Sequence, residues 1–197
     1  MPAATYDEVA EHYDSSMRPL ERWFLRGLRQ QAFKNLPQAG RVLELGAGTG
    51  LNFSLYPKAA EGAATEPSGE MLKIASGKSR PPGLALVQSR AECLPFAADS
   101  FDAALATLVF CSVDSQSEAF SEIRRVVKAG GVLILLEHVR PGGLLGPVFD
   151  LLNVLTSKLF ADRVNRRTAN AAASAGLEIV KREKRLLGIF NLIVCRV

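Results

Sequence analysis

The chain has 197 residues, 48% of them hydrophobic and 22% charged, with a formal net charge of +4. That length and balance fit one globular domain with a buried core and exclude a disordered chain. The longest aliphatic run, Val132–Leu136, is far short of the about 20 apolar residues that a bilayer span needs.

Met1–Tyr13 holds three acidic residues and no apolar stretch, which is not a signal-peptide pattern. Leu20, Trp23, Phe24, Leu28 and Gln31 predict an amphipathic helix with Arg18, Arg22, Arg26 and Arg29 on its other side. From Arg41 onward short aliphatic runs alternate with helix-like segments, the order of βαβ units around a parallel sheet. Val42–Leu45 reads as a strand entering Gly46-Ala47-Gly48-Thr49-Gly50, a turn that leads into a helix. Ala60–Thr65 is a second strand ending at Glu66, and Ser68–Ser79 a helix. Leu84–Val87 and Phe101–Thr107 are the third and fourth strands.

Ser115–Val127 reads as a helix with Ala119, Phe120, Ile123 and either Val126 or Val127 on its buried stripe, ended by Gly130-Gly131. Val132–Leu136, the most hydrophobic strand, is expected at the centre of the sheet. An apolar stretch over Leu144–Leu155 follows Pro141-Gly142-Gly143. Arg163–Ala175 is then a helix stopped by Gly176, and Leu177–Leu186 and Phe190–Val197 are two closing strands around Gly188. Cys93, Cys111 and Cys195 show no metal-ligand spacing and read as free thiols of a reducing compartment, which makes the expected location cytoplasmic.

The glycine loop carries the first chemical signal. Glycine lets a ligand approach the backbone because no Cβ intervenes. A dinucleotide fingerprint would need a third glycine at position 51, which is Leu51. The spacing is instead Glu44, Gly46, Gly48, Gly50. A carboxylate two places before the first glycine repels a pyrophosphate but suits an ammonium. Glu66, at the expected end of the second strand, is placed to accept hydrogen bonds from two ribose hydroxyls.

Val42-Leu43-Glu44-Leu45-Gly46-Ala47-Gly48-Thr49-Gly50 resembles the first motif of class I S-adenosylmethionine-dependent methyltransferases. Ala91-Glu92-Cys93-Leu94-Pro95-Phe96, Ser100-Phe101-Asp102 and Glu122–Gly131 match its later motifs in order. Tyr6-Asp7 and Ala10–Asp14 resemble the opening of the ubiquinone/menaquinone C-methyltransferase relatives. Gly48–Phe53, Tyr56-Pro57, Thr107–Val113 and Glu137-His138-Val139 resemble the alkyl-thiol S-methyltransferases, and the last third resembles bacterial phospholipid N-methyltransferases.

The resemblance implies one Rossmann-like α/β domain over residues 1–197. Its sheet would have seven strands, mostly parallel, with helices on both faces and an antiparallel last strand. It further implies a helical lid over residues 1–36 and an acceptor-side insertion over 139–160. The implied cofactor is S-adenosylmethionine, with S-adenosylhomocysteine as product. Its expected contacts are Tyr13, Glu44, Gly46, Ala47 and Gly48, with Glu66 on the ribose. Pro67 and Met71 would flank the adenine, Arg90, Ala91 and Glu92 would lie at its edge, and Thr107 and Leu108 would face the methyl end. The family often places an acid where Arg90 stands, and a guanidinium cannot accept the adenine amino proton.

His138, at the carboxyl edge of the fifth strand, is the candidate general base, and a loop-bonding or capping histidine is the plainer reading. The expected acceptor is small and hydrophobic, a thiol or a lipid-like amine. The basic groups near both ends, Arg18–Arg29 and Lys158–Arg185, are compatible with a solvated face or with attraction to an acidic substrate or an anionic membrane surface. A nucleic-acid methyltransferase would use those groups but lacks the amino-methylating Asn/Asp-Pro-Pro-Tyr and cytosine Pro-Cys motifs, so no nucleic-acid partner is expected. A cofactor-binding protein without turnover stands as a further alternative. Either a monomer or a homodimer fits.

Overall fold

The computed structural model describes residues 2–138 and 168–197, apart from the side chains of residues 2–5 and 187. Seven strands form one sheet: β1 (Arg41–Leu45), β2 (Glu61–Glu66), β3 (Gly83–Gln88), β4 (Phe101–Thr107), β5 (Val127–His138), β6 (Glu178–Arg185) and β7 (Phe190–Arg196). Their order is β3-β2-β1-β4-β5-β7-β6. The first five are parallel, and β7 runs antiparallel to both β5 and β6. This is the expected Rossmann-like architecture.

Strand alternation sorts the core. Leu43 aligns with Ala104 and Leu133, and Leu45 with Ala106 and Leu135. These pack with Phe120 and Ile123 of α4 (Gln116–Val126) and Ala169 and Ala172 of α5 (Thr168–Ser174). Leu105, Ile134, Leu136 and Leu192 face the other way, onto Leu25, Leu28 and Ala32. Ala75 of α3 (Gly69–Ser76) joins a third cluster with Val42, Ala64 and Leu84. Helices therefore cover both faces. Ser68 and Ser115 cap α3 and α4, their hydroxyls accepting from Met71 N and Glu118 N.

Four expectations need correction. The glycine loop leads into a turn and a short 3₁₀ segment, Phe53–Leu55, with no α-helix before β2. Gly46, Gly48 and Gly50 all hold positive φ (+61°, +56° and +82°), which winds the chain against a right-handed helix. Second, α4 ends at Val126, and Gly130-Gly131 lie inside β5. Phe101 pairs with Val127 but Ala103 with Val132, so the glycines occupy an irregularity in the ladder. Third, β4 is the middle strand, and β5 lies beside it between β4 and β7.

The fourth concerns the amphipathic helix. α1 (Pro2–Leu20) passes through a π turn, Glu21–Leu25, into α2 (Arg26–Phe33). Pro19 lies in this helix, where it lacks the N–H needed for a regular helical bond, and the turn widens just after it. The extra residue shifts the phase. Leu25, Leu28, Arg29 and Ala32 are buried, whereas Trp23 is 81% and Leu20 45% exposed. The expectations for Leu144–Leu155, for residues 139–160 and for the first part of Arg163–Ala175 lie outside the described residues.

Candidate functional site

A cleft of about 930 Å³, including its open mouth, lies at the carboxyl ends of β1, β2 and β4. Gly46, Ala47, Gly48, Thr49 and Leu51 form its floor. Glu66 and Pro67 follow β2, and Met71 comes from α3. Ser89–Glu92 supply one edge, Thr107–Val109 and Ser112–Asp114 the other, and Tyr6, Tyr13 and Arg29 the helical side. Twelve of the thirteen expected binding residues line this one cleft; only Glu44 does not.

The strand register explains the exception. Glu44 aligns with Leu105, so its side chain points to the sheet face covered by α2. There it is 1% exposed, and Oε1 accepts from Asn52 Nδ2 at 2.7 Å. Thr107 emerges on the same face and completes a network. Arg29 Nη1 donates to Asn52 Oδ1 at 3.1 Å and to Thr107 Oγ1 at 2.6 Å, and Asn52 Nδ2 donates to Thr107 Oγ1 at 2.9 Å. Glu21 receives Arg29 Nε and Nη2 at 3.0 and 2.8 Å. Burial pushes the Glu44 carboxyl above its ordinary pKa, against the hydrogen bond from Asn52. A guanidinium has five N–H groups, and these four bonds leave one on Nη2.

Glu66 Oε2 accepts from Gly48 N and Oε1 from Ser68 N, both at 2.9 Å. Its pKa is also raised, first by burial, with the two backbone N–H groups opposing. Tyr13 is raised by the same cause. Arg90 is fixed by Asp114 at 2.5 Å and approaches Glu92 at 3.6 Å. An acid therefore does stand at this edge, supplied by Asp114 from a later segment.

α1 closes the cleft from above. Tyr6 Oη bonds Ser112 Oγ at 2.8 Å, and Asp7 accepts from Ser68 Oγ at 2.5 Å and Glu70 N at 3.2 Å. Asp14 accepts from Thr49 Oγ1 and Lys78 Nζ, both at 2.5 Å. Glu137, buried at the end of β5, accepts from Val109 N and Phe110 N at 3.1 Å and so fixes the loop after β4. Leu108 in that loop has φ +62°, a left-handed conformation that leucine rarely adopts.

His138 is not among the residues lining the cleft. It ends β5, half-buried, in register with Phe190 of β7. His12 is exposed on α1, and Cys111 is buried. Nine cleft residues lie outside the expected set, among them Arg29, Tyr6 and Asp114. Arg29 was hidden among the arginines of a presumed solvated face, although Leu25, Leu28 and Ala32 give its buried phase.

Comparison with known proteins follows the same lines. A family model described as "methyltransferase domain" matches residues 43–135. Demethylmenaquinone methyltransferase of Renibacterium salmoninarum is 33% identical over 177 residues, covering 87% of this chain and 72% of that protein. Thiol S-methyltransferase TMT1B of Homo sapiens is 38% identical over 104 residues, 50% of this chain and 42% of its own length, so the chain spans under half of that relative. A Thermotoga maritima crystal structure described as a SAM-dependent methyltransferase, possible histamine N-methyltransferase, superposes with TM-score 0.76 at 25% identity. It covers 100% of this chain and 99% of its own.

Proposed function

The chain belongs to the class I S-adenosylmethionine-dependent methyltransferases, and from that premise we propose that it methylates the sulfur of a small hydrophobic thiol. The cofactor supplies a methyl group on a sulfonium, whose displacement releases a neutral thioether. Nothing on the protein then has to protonate the leaving group.

The residues of the cleft fit that cofactor. The Arg29 N–H that remains after Glu21, Asn52 and Thr107 would hold the methionine carboxylate. Glu44, reaching the site only through Asn52, would lower the potential beneath the ammonium. Glu66 would exchange one of its backbone bonds for the ribose hydroxyls. Pro67 and Met71 would flank the adenine, with Arg90, Ala91, Glu92 and Asp114 at its edge. Thr107 and Leu108 would face the methyl, and Tyr6 and Tyr13 would close the helical lid of residues 1–36 and exclude water.

The observation supporting a thiol is the state of the cleft's carboxylates. Glu66 holds two backbone N–H groups, Glu92 holds Asp114 N and Ser115 N, and Asp114 holds Arg90. Among the described residues, no histidine or lysine lines the cleft. An ammonium or a carbon acid must lose a proton to a base, whereas a thiol of pKa about 8.5 already presents thiolate near neutrality. The likeness to a thiol S-methyltransferase agrees with this reading, and the demethylmenaquinone relative supplies the carbon-acid alternative.

The test is turnover of a series of alkyl thiols beside a lipid amine and a quinol. Methylation of the thiols is expected, with kcat/KM rising with pH along each thiol's own ionisation and unchanged in His138→Ala. Turnover of amine or quinol without thiol would overturn it.

A further inference from the structure

The helical segment from Arg18 to Lys34 presents two adjacent rows to solvent. Arg18, Arg22 and Arg26 are exposed at four-residue spacing. Leu20 is 45% and Trp23 81% exposed, and the Arg22 guanidinium lies 5.6 Å from the centre of the Trp23 ring. The segment's one carboxylate, Glu21, is taken up by Arg29. The face is therefore cationic as well as apolar.

The β6–β7 hairpin extends it. Phe24 packs edge-on against Phe190 at 5.1 Å, and Arg185 reaches Gln31 at 3.4 Å, which seats the hairpin beside the helix. At its turn Lys184 and Arg185 are exposed, and Leu186 is 56% exposed with φ +47°. Of the hairpin's two acids, Glu183 is held by Lys181 and Arg185, and Glu178, at the far end of β6, by Arg196.

An exposed indole between leucines and arginines suits the boundary between headgroups and acyl chains. The ring and alkyl groups enter the boundary while guanidinium groups meet lipid phosphates. A duplex nucleic acid would engage the arginines but give Leu20 and Leu186 no apolar partner. We propose that this face docks on a bilayer containing anionic phospholipid. α1 and α2, which carry Tyr13 and Arg29 onto the cleft wall, would then lie against the membrane. The inference goes beyond the choice of methyl acceptor, because lipid binding is measured without methyl transfer.

Trp23 is the sole tryptophan, so its emission reports on the face directly. Vesicles of phosphatidylcholine with phosphatidylglycerol are expected to shift that emission to the blue. Brominated acyl chains should quench it, and added salt should reverse the binding. Combined Arg18→Gln, Arg22→Gln and Arg26→Gln substitution is expected to weaken vesicle affinity at least roughly tenfold, with S-adenosylmethionine affinity unchanged. Leu20→Ser should weaken vesicle binding several-fold. An emission spectrum that anionic vesicles leave unaltered, or a shift indifferent to the arginines, would overturn the proposal. So would a blue shift on raising protein concentration alone, which assigns the face to a second copy. A response to duplex RNA that persists in Leu20→Ser, without vesicle binding, would also overturn it.

Discussion

The guanidinium of Arg29, on α2, donates to the hydroxyl of Thr107, at the end of β4, at 2.6 Å. That bond joins the helical side of the cleft to the sheet, and Asn52 and Glu44 extend it to β1. Removing the guanidinium would leave Glu21 and Asn52 short of donors in a buried setting. Arg29→Ala is expected to cost about 3 kcal/mol of stability. Arg29→Lys should recover part of it, because an ammonium cannot reach both Glu21 and Thr107 in the same fork. Urea unfolding of the three proteins measures the difference, and calorimetry should show weaker cofactor binding in both variants.

Asp14 ties α1 to the glycine loop through Thr49 and to α3 through Lys78. Its side chain is partly exposed, so Asp14→Asn should change stability by less than about 1 kcal/mol. The expected effect is on cofactor exchange. Stopped-flow dissociation of S-adenosylhomocysteine should be several-fold faster in the variant, and salt should accelerate release from the wild type.

The glycines of the loop are not equivalent. A Cβ on Gly46 would meet Val109 Cγ2 at 2.6 Å, whereas one on Gly48 meets nothing within 4 Å. Both hold positive φ. Gly48→Ala should cost about 1 to 2 kcal/mol from backbone strain alone. Gly46→Ala should cost clearly more and displace the loop after β4. Thermal melts of the two variants rank them directly.

Burial raises the Glu66 pKa above its unfolded value, so the unfolded chain loses that proton first as pH rises. The consequence is a loss of stability that begins near pH 4.5 and is complete above the folded pKa. Glu44 shifts in the same direction. Asp102 and Glu122 are lowered by Lys128 and Arg125, and their contributions are lost only as pH falls below the ordinary carboxylate range. Glu66→Gln should therefore gain stability relative to the wild type as pH rises past 4.5. Unfolding curves at a series of pH values check the sign.

Much of this site was legible in the chain because its signals are local. The Glu44–Gly50 run, Glu66 after its strand and the Ala91-Glu92 pair each lie beside the strand end that positions them. What escaped depends on distant parts. Arg29 is buried because a π turn after Pro19 rotates α2, and the periodicity of residues 20–31 assigns the opposite face. Asp114 meets Arg90 from a segment 24 residues further along the chain, a pairing that no spacing encodes. His138 sits at a strand end, as the sequence indicates, but among the residues lining the cleft the loop after β4 stands instead. Gly130-Gly131 resemble a helix stop and serve a strand irregularity, because both structures need a residue free of Cβ.

The central claim is that this cleft, with Glu66 and Arg29 in its lining, holds S-adenosylmethionine. Calorimetric titration of the wild type, Glu66→Ala and Arg29→Lys with S-adenosylmethionine and S-adenosylhomocysteine, with NAD as control, tests it most directly. Binding of both sulfur nucleotides by the wild type, lost or much weakened in each folded variant and absent for NAD, is the expected result. Undiminished binding in the folded variants would contradict the account of the site.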